Sequence, residues 1–180
     1  MHGVLEYVIT EDDLPYALER MRGRGILTRR KIRQYQPRLQ EALESVRDRG
    51  WFDGSYTVYN ERPMLAKGQQ LRRPDRVMVS AEGDAIVVDY KFSTPENFAK
   101  KVEAHRRQVG EYMGWLEEMK QFRSVRGYIW YVNKGEIIEV EKSISFAEQK
   151  ERQRREREER RRKERADDTS DSTLKTNATD

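Results

Sequence analysis

The sequence contains no cysteine. That excludes disulfides, thiol nucleophiles and cysteine-ligated zinc. Histidine is nearly absent as well, with only His2 and His105. No apolar run is long enough to span a bilayer. The first residues lack a basic segment followed by an apolar one, so a secretory leader is not expected and a cytoplasmic protein is. Hydrophobic residues make up 36% of the 180 and charged residues 38%. Much of that charge lies in one C-terminal stretch, so the remainder can still bury a core. The net charge of +4 and a pI near 9.2 hint at a polyanionic partner, a hint that many soluble proteins would share.

What is present is a change of period along the chain. Residues from about 10 to 50 read as helical. Thr10-Glu11-Asp12-Asp13 fits a capping box, and Leu14, Leu18 and Met21 follow on one face. Gly23 and Gly25 break that helix. A second starts near Thr28, with Ile32, Tyr35, Leu39, Ala42, Leu43 and Val46 at helical spacing, and Pro37 is expected to kink or divide it. Tyr56 to Tyr59 reads as a strand. Arg76 to Val79, a turn at Ala81 to Asp84, and Ala85 to Val88 read as a hairpin whose second arm is buried on both faces. Helix returns over about 96 to 120. Val125 to Val132 and Glu136 to Val140 form two further strands around a turn at Asn133-Lys134-Gly135. This order predicts an α/β fold with a mixed central sheet flanked by helices. From Glu148 to Arg165 nearly every residue is Glu, Arg, Lys or Gln, which fits a solvated helix. The polar residues 166–180 read as a disordered tail. The expected division is a domain over 1–146, a charged helix over 147–165 and a tail over 166–180.

The acidic residues of the hairpin carry the chemistry. Asp75 precedes the first arm, and Asp89 ends the second after four apolar residues. A carboxylate at the end of a buried strand is costly unless it is paired or bound to a metal. Lys91 lies two residues on, hence on the same face of the strand. Two carboxylates can hold a hard cation such as Mg²⁺. That cation polarises a phosphodiester and acidifies a bound water, and the lysine can stabilise the developing charge. A plain Asp–Lys ion pair is the bland alternative for either half of the pattern alone.

Pro74-Asp75, thirteen residues, then Asp89-Tyr90-Lys91 resembles the PD-(D/E)XK nuclease superfamily. Further elements resemble its RecB-like branch, found at the C-terminus of RecB and AddA helicase–nucleases. These are Arg73 to Val77, Val87 to Lys91, Gln108-Val109-Gly110-Glu111-Tyr112 as a QxxxY motif, Met1 to Glu6 as the opening histidine motif, and Asn60 to Pro63 as the glutamate-bearing strand. The resemblance implies a restriction-endonuclease-like core. It implies Asp75, Asp89, the Tyr90 main-chain carbonyl and His2 as ligands for Mg²⁺ or Mn²⁺. Lys91 would be the catalytic lysine, Gln108 and Tyr112 would contact the site or the DNA backbone, and Glu61 would have a variable role. The implied activity is DNA hydrolysis, exonucleolytic and linked to a helicase domain or subunit in repair and recombination. The alternative is an inactive DNA-binding module of the same fold. The branch has more chain before its histidine than the single residue here, so a piece of a longer helicase–nuclease or an internal start is expected.

Arg72, Arg73 and Arg76 flank Asp75 and are candidates either for phosphate binding or for ion pairing with the aspartates. Arg106 and Arg107 are candidates for DNA-backbone contact or for a solvated helix face. Trp115, Tyr128, Trp130 and Tyr131 are expected in the sheet core rather than on a base-stacking platform. His105 is expected on a solvent-facing helix surface.

Overall fold

The computed structural model describes residues 1–65, 71–92 and 98–141. The expected charged helix over 147–165 and the tail over 166–180 lie outside the described residues.

Chain order gives α1 (His2–Leu5), α2 (Leu14–Gly23), α3 (Arg29–Glu44), β1 (Thr57–Asn60), β2 (Met64–Leu65), β3 (Leu71–Arg72), β4 (Arg76–Val79), β5 (Asp84–Lys91), α4 (Phe98–Glu118), β6 (Ser124–Tyr131) and β7 (Glu136–Val140). Five strands form one sheet in the order β1-β4-β5-β6-β7, and β2 and β3 form a separate pair. Among the described strands, only β5 and β6 run parallel. They are joined through α4, because a parallel pair needs a long crossover. The sheet is therefore mixed, as the alternation of elements in the sequence predicts.

Side-chain alternation along β5 divides the molecule into layers. Ile86, Val88 and Tyr90 join Tyr128 and Trp130 of β6 in a core with α1, α2 and α3. Ala85 and Val87 face the other way and pack with Val109, Tyr112, Met113 and Leu116 of α4. Helices thus cover both faces, consistent with a restriction-endonuclease-like fold. The aromatic residues expected in the core are there: Trp130, Tyr131 and Tyr128 are buried, and Trp115 is partly buried against the α4 core.

Local chemistry explains the helix starts. The capping box at Thr10 is present, with Asp13 Oδ2 accepting from the Thr10 amide at 2.8 Å. It opens a 3₁₀ turn over Glu11–Asp13 that runs into α2. Thr28 Oγ1 caps α3 by accepting from the Lys31 amide. The α3 helix continues through Pro37, so the proline does not divide it. The proline ring lies on the exposed face, while Ile32, Tyr35, Leu39, Ala42 and Leu43 hold both halves against the core. Packing there outweighs the lost backbone hydrogen bond. No helix among the described residues is long and apolar enough to cross a membrane.

Candidate active site

The alternation that buries Val87 against α4 puts Asp89 and Lys91 on the same side, over Gln108 and Tyr112. Asp89 is 1% exposed, and its Oδ2 lies 2.6 Å from Lys91 Nζ. Lys91 Nζ also reaches Gln108 Oε1 at 3.4 Å. Gln108 Nε2 donates to the Tyr112 hydroxyl at 3.0 Å, across one helical turn. Asp89, Lys91, Gln108 and Tyr112 therefore form a continuous polar chain from β5 onto α4.

Asp75 stands between this chain and the N-terminal helix. Its Oδ2 accepts the Tyr90 amide at 2.6 Å, and its Oδ1 lies 3.0 Å from His2 Nε2. The other imidazole nitrogen of His2 is 3.5 Å from Glu61 Oε1. Glu61 adopts a left-handed backbone conformation with φ of 49°, unusual for a residue with a side chain. Its amide donates to the Asp75 carbonyl at 3.0 Å, so the bend at the end of β1 is fastened to the segment bearing Asp75. His2, Glu61 and Asp75 each offer a donor atom within 4.8 Å of the others.

The electrostatics describe a site overloaded with negative charge. Burial, then the charge of Asp75, pushes the Asp89 carboxyl up to about 6, although Lys91 pulls it down. Burial and Asp75 likewise raise Glu61. His2 is raised by its hydrogen bond to Asp75 against the cost of burial. Each aspartate has turned to a different nitrogen, Asp75 to His2 and Asp89 to Lys91, as expected of two carboxylates in one low-dielectric recess. The donor set of carboxylates and imidazole suits a divalent cation, whose charge would relieve this repulsion.

Holding His2 in place falls to residues that sequence reasoning assigned elsewhere or missed. Arg76 was a candidate DNA contact, and the structure corrects this. Its side chain is 0% exposed. One guanidinium nitrogen donates to the Val8 carbonyl at 2.8 Å and to Asn60 Oδ1 at 3.2 Å. The other donates to the carbonyls of Ile9 at 2.9 Å and Trp51 at 2.6 Å. The group lies 4.1 Å from the Phe52 ring centre. Asn60, beside Arg76 across the β1–β4 ladder, donates to the carbonyls of Leu5, Glu6 and Val8. Together they bind the exit of α1 to the sheet, and so position His2. Position 76 begins a strand whose other residues are apolar, which was the available signal that its charge points inward.

The remaining basic candidates differ. Arg73 and Arg107 are exposed, and the charge of Arg73 acts on Glu61. Arg106 donates to the Glu139 carbonyl on β7 at 3.4 Å. His105 is half-buried rather than solvent-facing, with Nδ1 at 2.9 Å from the Tyr131 hydroxyl. Its pKa is lowered by burial and then by the charge of Lys91. Its spacing of three from Gln108 on one helix face was the sequence signal.

Comparison with known proteins agrees with this geometry at the level of family. No curated protein matches the chain. The crystal structure of SSO0001 matches with 19% identity and a TM-score of 0.32, over 76% of this chain and 64% of that one, so the chain spans less than two thirds of that protein's length. The profile of the PD-(D/E)XK nuclease superfamily matches residues 2–180. With nearly its whole length covered, the chain belongs to the PD-(D/E)XK nuclease superfamily.

Proposed function

We propose that the protein is a metal-dependent deoxyribonuclease of the RecB-like branch, hydrolysing DNA phosphodiesters with Asp75, Asp89 and Lys91 at the centre of the site. The observation that carries this reading is the convergence of His2 and Glu61 on Asp75, with Asp89 and Lys91 completing the recess beside it. His2, Asp75, Asp89 and the Tyr90 carbonyl are assigned as ligands for Mg²⁺ or Mn²⁺, with Glu61 as a further donor. A divalent cation held there polarises the phosphodiester and acidifies an attacking water.

The chain's own groups do the rest. Lys91 sits 2.6 Å from Asp89, where its ammonium can orient the attacking water or offset charge building on the phosphorus oxygens. Gln108 accepts from Lys91 and donates to Tyr112, which restrains the flexible lysine. Asp89, raised to about 6 without a cation, is held in its charged form by the cation's field. Arg73, Arg106 and Arg107 are assigned to the DNA backbone. Exonucleolytic action, a role in repair or recombination, and a helicase domain or subunit as partner follow from the RecB-like motifs His2, Gln108 and Tyr112.

The test is cleavage of labelled DNA with Mg²⁺ by the wild type, Asp89→Ala and Lys91→Ala. Loss of about 10² or more in rate is expected for each variant. Wild-type rates in either variant would overturn the assignment. DNA binding by the wild type with no cleavage under any divalent metal would favour the inactive-module alternative.

A further inference from the structure

Between Arg20 and Gln40 the chain carries eight Arg and Lys residues and no Asp or Glu, against a net charge of +4 for all 180 residues. Arg29, Arg30, Lys31 and Arg33 crowd the start of α3, and all four are exposed. Cations are disfavoured there, because the unpaired N–H groups of a helix start carry partial positive charge. A sequence that breaks a local preference at exposed positions points to a use for those charges.

The seven-residue spacing of Lys31 and Arg38 puts both on one flank of α3. Arg38 lines a cavity of about 500 Å³ with Glu41, Ser45, Val132, Asn133 and Lys134. That cavity separates α3 from the turn between β6 and β7. The Asn133 side chain donates to the Phe92 carbonyl. Phe92 directly follows Lys91, and its ring lies 6.0 Å from the His2 imidazole. The Arg38 end of the flank thus connects to the site through Asn133 and Phe92.

We propose that Lys31 and Arg38 bind phosphates of one DNA strand, guiding it along the groove between α3 and the β6–β7 turn to or from the site of His2, Asp75 and Asp89. The proposal rests on the nuclease reading and adds the path of the substrate. A DNA strand fits because its closely spaced negative charges offer each exposed cation of the flank a partner, and their neutralisation releases counterions. Glu41, the first carboxylate after Arg38, bounds the track.

The test is fluorescence anisotropy of a labelled single-stranded oligonucleotide of mixed sequence, titrated in EDTA at several salt concentrations so that no cleavage occurs. Lys31→Gln/Arg38→Gln is compared with Arg29→Gln/Arg30→Gln, which alters the rest of the helix start. The first pair is expected to weaken binding at least about fivefold and to lower the slope of log affinity against log salt by about 1–2. The second pair should have a clearly smaller effect. Unchanged affinity and slope in the first pair, equal losses in both, or no binding by the wild type would overturn the track. A wild type that binds in this manner but never cleaves with divalent metal would overturn the nuclease reading and leave the track standing.

Discussion

Asp89 and Lys91 sit two residues apart on one face of β5, with their charged atoms 2.6 Å apart and the Asp89 side chain 2% exposed. The strand buries the carboxylate, and the next residue on its face supplies the countercharge. Asp75 acts in the opposite sense, and Asp89 is raised to about 6. Its folded value exceeds its unfolded value, so its contribution to stability is fully present below the unfolded pKa of about 3.9 and is lost as pH rises through 6. In EDTA, Asp89→Asn should therefore raise the melting temperature at pH 8 and change it little at pH 4. Equal shifts at both pH values would contradict the charge origin.

Divalent metal should offset the same repulsion. Mg²⁺ or Mn²⁺ at about 100 times its dissociation constant stabilises a protein that binds it only when folded by about 2.7 kcal/mol. The wild-type melting temperature should rise with added metal at pH 7.5. Asp75→Asn, whose carboxylate faces both His2 and the Tyr90 amide, should abolish most of the rise. A variant that keeps the full metal response would remove Asp75 from the ligand set.

Arg76→Met should be severely destabilising despite preserving bulk. It leaves the carbonyls of Ile9 and Trp51 without their Arg76 donor and removes one of the two donors to Val8. The cost should exceed about 3 kcal/mol, read from chemical denaturation. If the variant folds, its metal affinity should fall because α1 and His2 are no longer fastened. A loss below about 1 kcal/mol would refute this role, since that is the worth of one ordinary hydrogen bond.

Gly127 of β6 lies tight against Met113 and Val109 of α4. A Cβ built there would meet Met113 Sδ at 2.4 Å and Val109 Cγ1 at 2.6 Å. Gly127→Ala should cost about 1–3 kcal/mol through overpacking. It should also slow cleavage, because displacing α4 carries Gln108 and Tyr112 away from Lys91. Thermal melts and kcat measured together check both effects, and unchanged values would show that α4 yields without consequence.

Asp13 tests the sign of a depressed group. Its pKa is lowered chiefly by the hydrogen bond from the Thr10 backbone. Its contribution is present above its unfolded pKa and lost as pH falls through the lower folded value. Asp13→Asn should reduce stability at pH 7, with the difference shrinking in acid. A difference that persists at pH 2 would assign the effect to packing rather than charge.

The sequence by itself determined the main elements and which side chains of the candidate site share a face. Period-2 alternation placed Asp89 and Lys91 on one strand face, and i to i+4 spacing placed Gln108 and Tyr112 on one helix face. Both rules act over a few residues, so no tertiary information was needed. The direction of Arg76, the fastening of α1 by Asn60, the inward turn of Glu61 and the partnership of His105 with Tyr131 depend on residues 14 to 68 positions apart. Local pattern carries no record of such pairings. Only the packed layers decided that a basic residue beside the candidate site points into the core, and that a histidine at the second position meets an aspartate at the seventy-fifth. The physical reason is common to both: buried polar groups must find partners wherever the fold brings them.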